Sequence, residues 1–432
     1  MVGARPVTIR DRATLGGMRA DEVRGLAELG RLVLRGTTTR IGEVQRGIAG
    51  RVFSAVGPAG APVKVAYEAV SGLTYASVRL GLGAGARVAG AIGARRADGA
   101  SLDAGRVGTA LGILGGVHGD LVARAAPALA VRMSVRSAGR DVPVTTAALA
   151  EAFPAASGRL VVFLHGLTET EGAWCFRSER RHGGPGITYG TLLERDLGRT
   201  AVFLRYNTGL HVSDNGRELD SLLAGLVAEW PVPVRDVVLI GHSMGGLVAR
   251  SALHRAGSGT PDARPWTRLV RDTITLGTPH LGAPLERGAH ALTLALARLP
   301  ETRPLATLLA LRSAGIKDLR RGTLVEADWA GRDLDAPGPA AHTHVPLCDG
   351  ARHLVVLATL APDPAGRLGA VLGDLLVPPS SALGDTGGDD RLAFPPDAVA
   401  RLGGLSHLDL LNHPRVYRQI LRWLTDPPAA QP

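Results

Sequence analysis

The sequence predicts an α/β fold in which a mostly parallel sheet is flanked by helices. Its first basis is a set of short strand-like segments at residues 159–164, 200–205, 235–240 and 271–276. The first of them contains a continuous apolar run that does not alternate with polar residues, as is typical of a strand buried on both faces of a parallel sheet. Helix-compatible segments separate them, which indicates right-handed crossovers between parallel strands; they are residues 188–197, 215–229 and 246–255. The third observation is the Gly-His-Ser-Met-Gly string at 241–245, where a sharp turn would join a strand to a helix.

The first 127 residues differ from the rest and are predicted to form a helical, basic region rich in Ala and Gly. Residues 18–34 place apolar side chains at three- and four-residue spacing, which is the pattern of an amphipathic helix. Residues 1–150 hold 20 Lys and Arg against 10 Asp and Glu, so they account for the whole net charge of +10. Two interpretations stay open. The many small residues favour a small helical bundle packed on the main domain, whereas the excess of Arg is consistent with helices that lie on an anionic membrane or granule surface.

The composition and the cysteines exclude several classes of protein. Hydrophobic residues make up 45% of the 432-residue chain and charged residues 20%, which is enough apolar material for a large globular core. No uncharged apolar run reaches the roughly 20 residues of a membrane span, and the N-terminus lacks the apolar core of a secretory signal, so we expect a cytoplasmic protein, either free or membrane-associated. The basic residues are not interleaved with aromatic ones, which argues against nucleic-acid binding. Cys175 and Cys348 are expected to be free thiols, and the lack of clustered metal-ligand motifs predicts that no metal or other cofactor is used.

The main domain is predicted to span residues 128–428. A hairpin around residues 137–140 opens it, and the alternation of strands and helices continues to residue 276. The alternation stops over residues 283–346, an Ala/Leu-rich and then Pro/Gly-rich insertion that we expect to form a helical lid over the site. Strand character returns at 353–360. The domain is completed by short apolar segments at 373–378, 392–394 and 406–411 and by an amphipathic helix at 414–424.

Ser243 occupies the tip of the predicted strand-to-helix turn. A serine held in a strained conformation at such a bend leaves no room for Cβ atoms two positions away, and Gly241 and Gly245 occupy those two positions. A serine hydroxyl becomes a nucleophile when a histidine takes its proton and a carboxylate holds that histidine in the right tautomer. The turn therefore predicts a serine nucleophile, with an acid and then a histidine later in the chain.

Asp374 and His407 are the predicted acid and base. Asp374 follows a strand in a Gly-Asp turn; the alternative is a turn aspartate that caps its own backbone. His407 lies after the last short strand and before the last helix, whereas His413 is better explained as a helix-end residue. The other acidic candidates lie in looser, more polar surroundings: Asp363, Asp385, Asp389 and Asp390.

Three features occur together in this chain: the order Ser243, Asp374, His407, the His-Gly-Leu string at 165–167 and the Leu-Gly-Thr-Pro-His string at 276–280. With this combination the chain resembles the α/β-hydrolase superfamily. Within it, the chain is similar to the lipase/esterase group that includes the GPI inositol-deacylase-like (PGAP1-like) serine hydrolases. The resemblance covers about residues 130–425 and leaves out the N-terminal third. It implies that the backbone N–H groups of Leu167 and Met244 form the oxyanion hole, where such donors contribute about 3–4 kcal/mol each.

Several other residues have structural interpretations that compete with functional ones. Three histidines near these motifs are expected to shape loops or to pack: His165, His242 and His280. Polar residues at 205–209 and 215–216 follow a strand on the predicted catalytic edge, where they either contact substrate or build turns. Three tryptophans either line an apolar pocket or belong to the core: Trp174, Trp266 and Trp329.

These residues predict a serine hydrolase that cleaves carboxylic esters through an acyl-enzyme on Ser243, which water activated by His407 then hydrolyses. The apolar-rich insertion favours acyl or lipid-like substrates over peptides or sugars. Thioesterase, amidase or acyltransferase chemistry would use the same triad. An alternative of another class is a non-enzymatic scaffold that keeps the hydrolase fold and works through its basic N-terminal region.

Overall fold

A computed structural model describes residues 115–116, 119–124, 127, 130–258, 265–283, 313–334, 343–366, 373–374, 376–388 and 390–426. The chain divides into two compact units, one of Met1–Val107 with Val122–Leu129 and one of Gly108–Leu121 with Ala130–Pro432. The second unit contains every helix and strand named below. The predicted N-terminal helical region, apart from a few of residues 115–127, lies outside the described residues, as do residues 284–312 and 335–342 of the predicted lid.

The second unit is built on an eight-stranded sheet. Its strands are β1 Ser134–Ser137, β2 Arg140–Val142, β3 Arg159–Leu164, β4 Thr200–Arg205, β5 Asp236–His242, β6 Val270–Leu276, β7 Arg352–Thr359 and β8 Val399–Gly403. They lie in the order β2-β1-β4-β3-β5-β6-β7-β8, and the six strands β3 to β8 run parallel to one another. The β1–β2 hairpin adds two antiparallel strands at one edge. The prediction of a mostly parallel sheet is therefore confirmed.

Helices cover both faces of this sheet. The α-helices are α1 Thr146–Ala152, α2 Ser178–His182, α3 Tyr189–Leu197, α4 Val212–Glu229, α5 Met244–Ser258, α6 Ala314–Leu319, α7 Pro379–Ala382 and α8 Pro414–Thr425. Successive side chains of a strand point to opposite faces, and β3 accordingly contributes Val162 to one buried cluster with α4 and α5 and Phe163 to another with α3 and α8. This burial of β3 on both faces explains the continuous apolar run that follows Arg159 in its sequence.

The last strand is the main difference from the sequence prediction. β8 lies in none of the three short apolar segments noted at the end of the chain, because its sequence, Val-Ala-Arg-Leu-Gly, includes the exposed Arg401. It is an edge strand that pairs with β7 alone, so only part of it needs to be apolar. Among the described residues, no helix has the length and apolar character needed to cross a membrane.

Candidate active site

Ser243 lies at the turn between β5 and α5, near the middle of the sheet. Its φ of 51° is in the left-handed region, which a residue with a Cβ adopts only at some cost. Its N–H donates to the carbonyl oxygen of Leu276, at 2.9 Å, and so fastens the turn to the neighbouring strand β6. A Cβ at Gly241 would collide with the backbone of Gly246, and one at Gly245 would collide with the carbonyl of Leu164. The glycines on either side of Ser243 are therefore required by the close approach of backbone.

His407 and Asp374 form a buried pair. Nδ1 of His407 lies 2.6 Å from Oδ2 of Asp374, and the backbone N–H of His407 donates to the carbonyl of Asp374 at 3.1 Å. The other carboxylate oxygen, Oδ1, accepts the backbone N–H groups of Leu376 and Val377. With Nδ1 donating to the carboxylate, the neutral imidazole carries its lone pair on Nε2, which is the tautomer that a general base needs.

The loop after β6 brings this pair next to the turn at Ser243. Gly277 directly follows Leu276, whose carbonyl accepts the N–H of Ser243. A Cβ at Gly277 would lie 3.1 Å from Oδ2 of Asp374 and 3.1 Å from Cε1 of His407. Among the described residues, neither Nε2 of His407 nor the hydroxyl of Ser243 has a hydrogen-bond partner. Catalytic hydrogen bonds of this kind often form only once substrate is bound.

The loop after β3 packs against Ser243; we define it as residues 165–169 and call it the oxyanion loop because it contains Leu167, a predicted oxyanion donor. A Cβ at Gly166 would lie 3.1 Å from Cβ of Ser243. Thr168 has a φ of 63°, and its N–H donates to Oγ1 of Thr208 at 3.1 Å, so the loop is both strained and fastened. In the described part of the chain, no hydrogen bond involves the N–H of Leu167 or that of Met244 at the start of α5.

A second histidine–carboxylate pair lies beside the first, and sequence reasoning missed it. Nδ1 of His242 lies 3.1 Å from Oε2 of Glu169, and its Nε2 lies 3.2 Å from the carbonyl oxygen of His407. Burial would raise the pKa of Glu169, but the charge and hydrogen bond of His242 lower that pKa to about 2. Burial would lower the pKa of His242, but Glu169 raises it above its ordinary value. An acidic residue in the short loop after a buried strand was the available signal.

The other two histidines near the motifs are also fully buried. His165 stacks on Tyr206 with ring centroids 4.4 Å apart, and burial lowers its pKa. His280 has Nδ1 3.0 Å from Nη1 of Arg250; burial and then the charge of Arg250 lower its pKa well below the ordinary value. Both rings are therefore neutral side chains that pack against the loops they stand in.

The remaining candidates make local contacts. Asp363 and Asp385 accept backbone N–H groups two residues ahead, as turn aspartates do. Asp390 makes no hydrogen bond with His407 in the described part of the chain, and Asp389 lies outside the described residues. His413 accepts the N–H of Arg415 at the start of α8.

The polar residues after β4 build the surrounding structure. Arg205 pairs with Glu171, with Nε to Oε2 at 2.6 Å. Nδ2 of Asn215 donates to the carbonyl of Asn207, which favours the turn-building interpretation of these residues.

The tryptophans and cysteines are distributed between core and surface. Trp174 and Trp266 are fully buried in the core, whereas Trp329 stacks on His211 with ring centroids 3.8 Å apart. Cys175 and Cys348 are free thiols.

The described residues line one small cavity near Ser243 and one wide groove far from it. The small cavity lies beneath the strand-to-helix turn at Ser243, which we call the elbow, and is lined in part by Gly241, Gly246, Arg250 and His280. A wide groove lies at the amino ends of the strands, against Asp236 and other residues far along the strands from the Ser243 turn. Among the described residues, no group of three or more His, Cys, Asp or Glu side chains is arranged to hold a metal ion.

Comparison with known proteins places the elbow within a recognised family segment. Residues 218–339 match the family model described as the PGAP1-like alpha/beta domain. The chain is similar to the mature form of lipase BlEst2 from Bacillus licheniformis, with 19% identity and a TM-score of 0.40 over 62% of this chain and 92% of that chain. It is also similar to lipase 1 from Pelosinus fermentans, with 14% identity and a TM-score of 0.35 over 63% of this chain and 100% of that chain. A third similar structure is naproxen esterase, carboxylesterase NP, from Bacillus subtilis, with 12% identity and a TM-score of 0.33 over 62% of this chain and 84% of that chain. No curated protein sequence matches the chain.

The likenesses to solved structures are distant, so the fold assignment depends on the chain's own sheet and elbow. Six parallel strands, helices on both faces and a strained serine after β5 form the arrangement that the resemblance implied. The family segment at 218–339 contains β5, Ser243 and α5. The chain therefore has the α/β-hydrolase fold, and its resemblance to the PGAP1-like α/β domain, expected from the sequence motifs, is confirmed over residues 218–339.

Proposed function

We propose that this chain is a serine hydrolase that cleaves carboxylic esters, with Ser243 as nucleophile, His407 as general base and Asp374 as the carboxylate that orients it. The observation that supports this best is the buried His407–Asp374 pair, with an Nδ1–Oδ2 distance of 2.6 Å, beside a serine held at a φ of 51°. The histidine of this pair is buried, its other ring nitrogen has no hydrogen-bond partner among the described residues, and the turn serine beside it is half-buried. The arrangement has the parts and roles of an acyl-transfer site.

In the proposed reaction, Nε2 of His407 takes the proton of Ser243 as Oγ attacks the carbonyl carbon of the ester. The N–H groups of Leu167 and Met244 donate to the oxyanion that forms. Collapse of this intermediate breaks the bond to the alcohol oxygen, which leaves with the proton from His407. Water then gives a proton to His407, attacks the acyl-enzyme and releases the acid, so that Ser243 regains its proton.

We propose a lipid-like ester as the substrate. Among the described residues, the large apolar side chains that are exposed are Leu360, Leu376 and Leu408, at 38%, 39% and 45%. Leu376 lies two residues after the proposed acid Asp374, and Leu408 immediately follows the proposed base His407. Leu360 donates its N–H to the carbonyl of Gly373, the residue before Asp374. An apolar rim at the proposed acid and base suits an acyl chain better than a sugar or a charged peptide.

Three further expectations stay predictions. They are contact of residues 1–127 with a membrane or granule surface, a cytoplasmic location and the absence of a cofactor. Thioesterase or acyltransferase activity would use the same proposed triad, so the leaving group decides between them. The non-enzymatic scaffold gives a different outcome, because it has no need of an activated serine.

Hydrolysis of p-nitrophenyl esters of increasing chain length by the full chain tests the proposal. We expect turnover that rises from short to medium acyl chains and is lost in Ser243→Ala. Thioester and amide analogues with the same acyl groups give the leaving-group preference. Equal turnover by wild type and Ser243→Ala would refute the proposed nucleophile, and inactivity on every acyl donor would favour the scaffold.

A further inference from the structure

Both ring nitrogens of His242 face atoms that can only accept hydrogen bonds. Nδ1 lies 3.1 Å from Oε2 of Glu169, a carboxylate oxygen, and Nε2 lies 3.2 Å from the carbonyl oxygen of His407. A neutral imidazole has one N–H, so one of its nitrogens would point a lone pair at another lone pair. Because the pKa of Glu169 is lowered to about 2, this side chain is an ionised carboxylate without a proton to donate, and only an imidazolium, with two N–H groups, satisfies both contacts.

Glu169 completes an ion pair that connects both loops of the proposed site. Its Oε2 also accepts the backbone N–H of Gly166, at 2.6 Å, in the oxyanion loop. The side chain of His242 is fully buried and that of Glu169 is 13% exposed, so the pair lies largely out of water. One continuous set of contacts therefore runs from Gly166 through Glu169 and His242 to the backbone of His407.

We propose that Glu169 and His242 form a permanent ion pair that holds the oxyanion loop and the loop bearing His407 at fixed positions on either side of Ser243. In this role both are positioning residues for the proposed hydrolase reaction, on which the inference depends. Neither needs to touch the substrate. Because His242 adjoins Ser243 in sequence, a shift of its ring would move the nucleophile together with the base.

Among the described residues, few titratable groups face this pair. Glu169, His407 and Asp374 surround His242, whose ring centroid lies 4.7 Å from that of His407, and the neutral His165 lies next to Glu169. Trp174 presents an edge to the His242 ring, with centroids 6.4 Å apart, and excludes water from that side. The carboxylate of Glu169 is the anion in hydrogen-bond contact with His242, so it is the group whose removal should change the protonation of that histidine.

Nitrogen NMR of the full chain, labelled with ¹⁵N at histidine, tests the charge state without requiring any activity. We expect the two ring nitrogens of His242 to be protonated together at neutral pH. The signal is assigned by its loss in His242→Gln. A spectrum in which one of the two nitrogens lacks a proton at neutral pH would overturn the permanent ion pair.

Kinetics of Glu169→Gln, with Glu171→Gln as the matched control, test the positioning role. Glu171 lies two residues away, has a side chain 14% exposed and is also ion-paired, but with Arg136 and Arg205 instead of the site. Glu169→Gln should lower kcat by about 10- to 100-fold with little change in KM, since small displacements of reacting groups cost rates of this order. Its alkaline limit of kcat/KM should move to lower pH, because His242 loses the carboxylate that keeps it protonated. Glu171→Gln should show neither change.

The outcomes separate this inference from the proposed function. An active wild type whose folded Glu169→Gln variant keeps full kcat and the same alkaline limit overturns the positioning role alone. An inert wild type with a doubly protonated His242 refutes the proposed hydrolase and leaves the ion pair standing. If Glu169→Gln does not fold, the ring spectrum of the wild type decides the charge state of His242, and the kcat of His242→Gln decides the positioning role, which a full kcat in that variant would overturn.

Discussion

Two histidine–carboxylate pairs lie side by side in this molecule, with ring centroids of the histidines 4.7 Å apart, and they differ at one nitrogen. In the His407–Asp374 pair, Nδ1 is bonded to the carboxylate and Nε2 has no partner among the described residues. In the His242–Glu169 pair, both nitrogens are bonded. The residue types and the burial are alike, so neither can assign the roles.

A ring nitrogen without a hydrogen-bond partner therefore distinguishes a proposed base, His407, from a proposed structural cation, His242. A base must have a lone pair that it can offer to the proton of the nucleophile, and a saturated imidazolium has none. A saturated pair can instead hold backbone in place, because its contacts reach the backbone of His407 and, through Glu169, the N–H of Gly166.

The largest expected effect is that of His407→Gln. Loss of the base should reduce kcat for ester hydrolysis by about 10⁴- to 10⁶-fold, as removal of a triad histidine does elsewhere. His242→Gln should cost far less, about 100-fold, since the base and nucleophile both remain. Steady-state kinetics of the two variants measure the ratio directly. Equal losses would contradict the assignment of different roles.

Asp374→Asn should have the next largest effect. The amide would favour the wrong tautomer of His407, and such a change costs about 10⁴-fold in kcat where it has been measured in triads. The fold should persist, since Asn Oδ1 still accepts the N–H groups of Leu376 and Val377. Circular dichroism and kinetics together check the prediction. A loss of activity no greater than that of Glu169→Gln would mean that Asp374 is not the orienting acid.

The sequence predicts one of these pairs and not the other, for a physical reason. An elbow serine requires an acid and a histidine later in the chain, so Asp374 and His407 can be selected by order and by their loops. Glu169 and His242 are 73 residues apart and share no motif, and they meet only because β3 and β5 are neighbours in the sheet.

The same contrast holds for the strands. Strands buried on both faces, such as β3, have a continuous apolar sequence that indicates them directly. The edge strand β8 includes an exposed arginine and is defined by its pairing with β7, which local sequence does not reveal. Features that depend on local chemistry are therefore predictable here, and features that depend on one long-range contact are not.

The stability of the His242–Glu169 pair should depend on pH in a defined window. The pKa of Glu169 is lowered from 4.5 to about 2, so its contribution is present above its unfolded value and lost as pH falls through about 2. The pKa of His242 is raised above 6.5, so its contribution is present below 6.5 and lost as pH rises through the folded value. Both contributions are fully present between pH 4.5 and pH 6.5. The free energy of unfolding by urea should therefore differ most between wild type and Glu169→Gln in this pH range, by about 3 kcal/mol. A difference that does not change with pH would contradict the ion pair.

The smallest expected effect is that of Leu408→Ser, which changes the apolar rim without touching either pair. Loss of one partly exposed apolar side chain should cost about 1 kcal/mol of binding for long acyl chains, a rise in KM of about fivefold. Short-chain esters should be unaffected. A chain-length series on the variant measures this, and an equal change for acetyl and decanoyl esters would argue against an acyl chain at this rim.

Labelling of the full chain with a fluorophosphonate, followed by mass spectrometry of its peptides, tests most directly whether Ser243 is a nucleophile activated by His407. We expect an adduct on Ser243 in the wild type, formation of that adduct slowed by orders of magnitude in His407→Gln, and only a moderate slowing in Glu169→Gln. An unlabelled Ser243 in the folded wild type, or labelling at the same rate in His407→Gln, would contradict the assignment of Ser243 as a nucleophile that His407 activates.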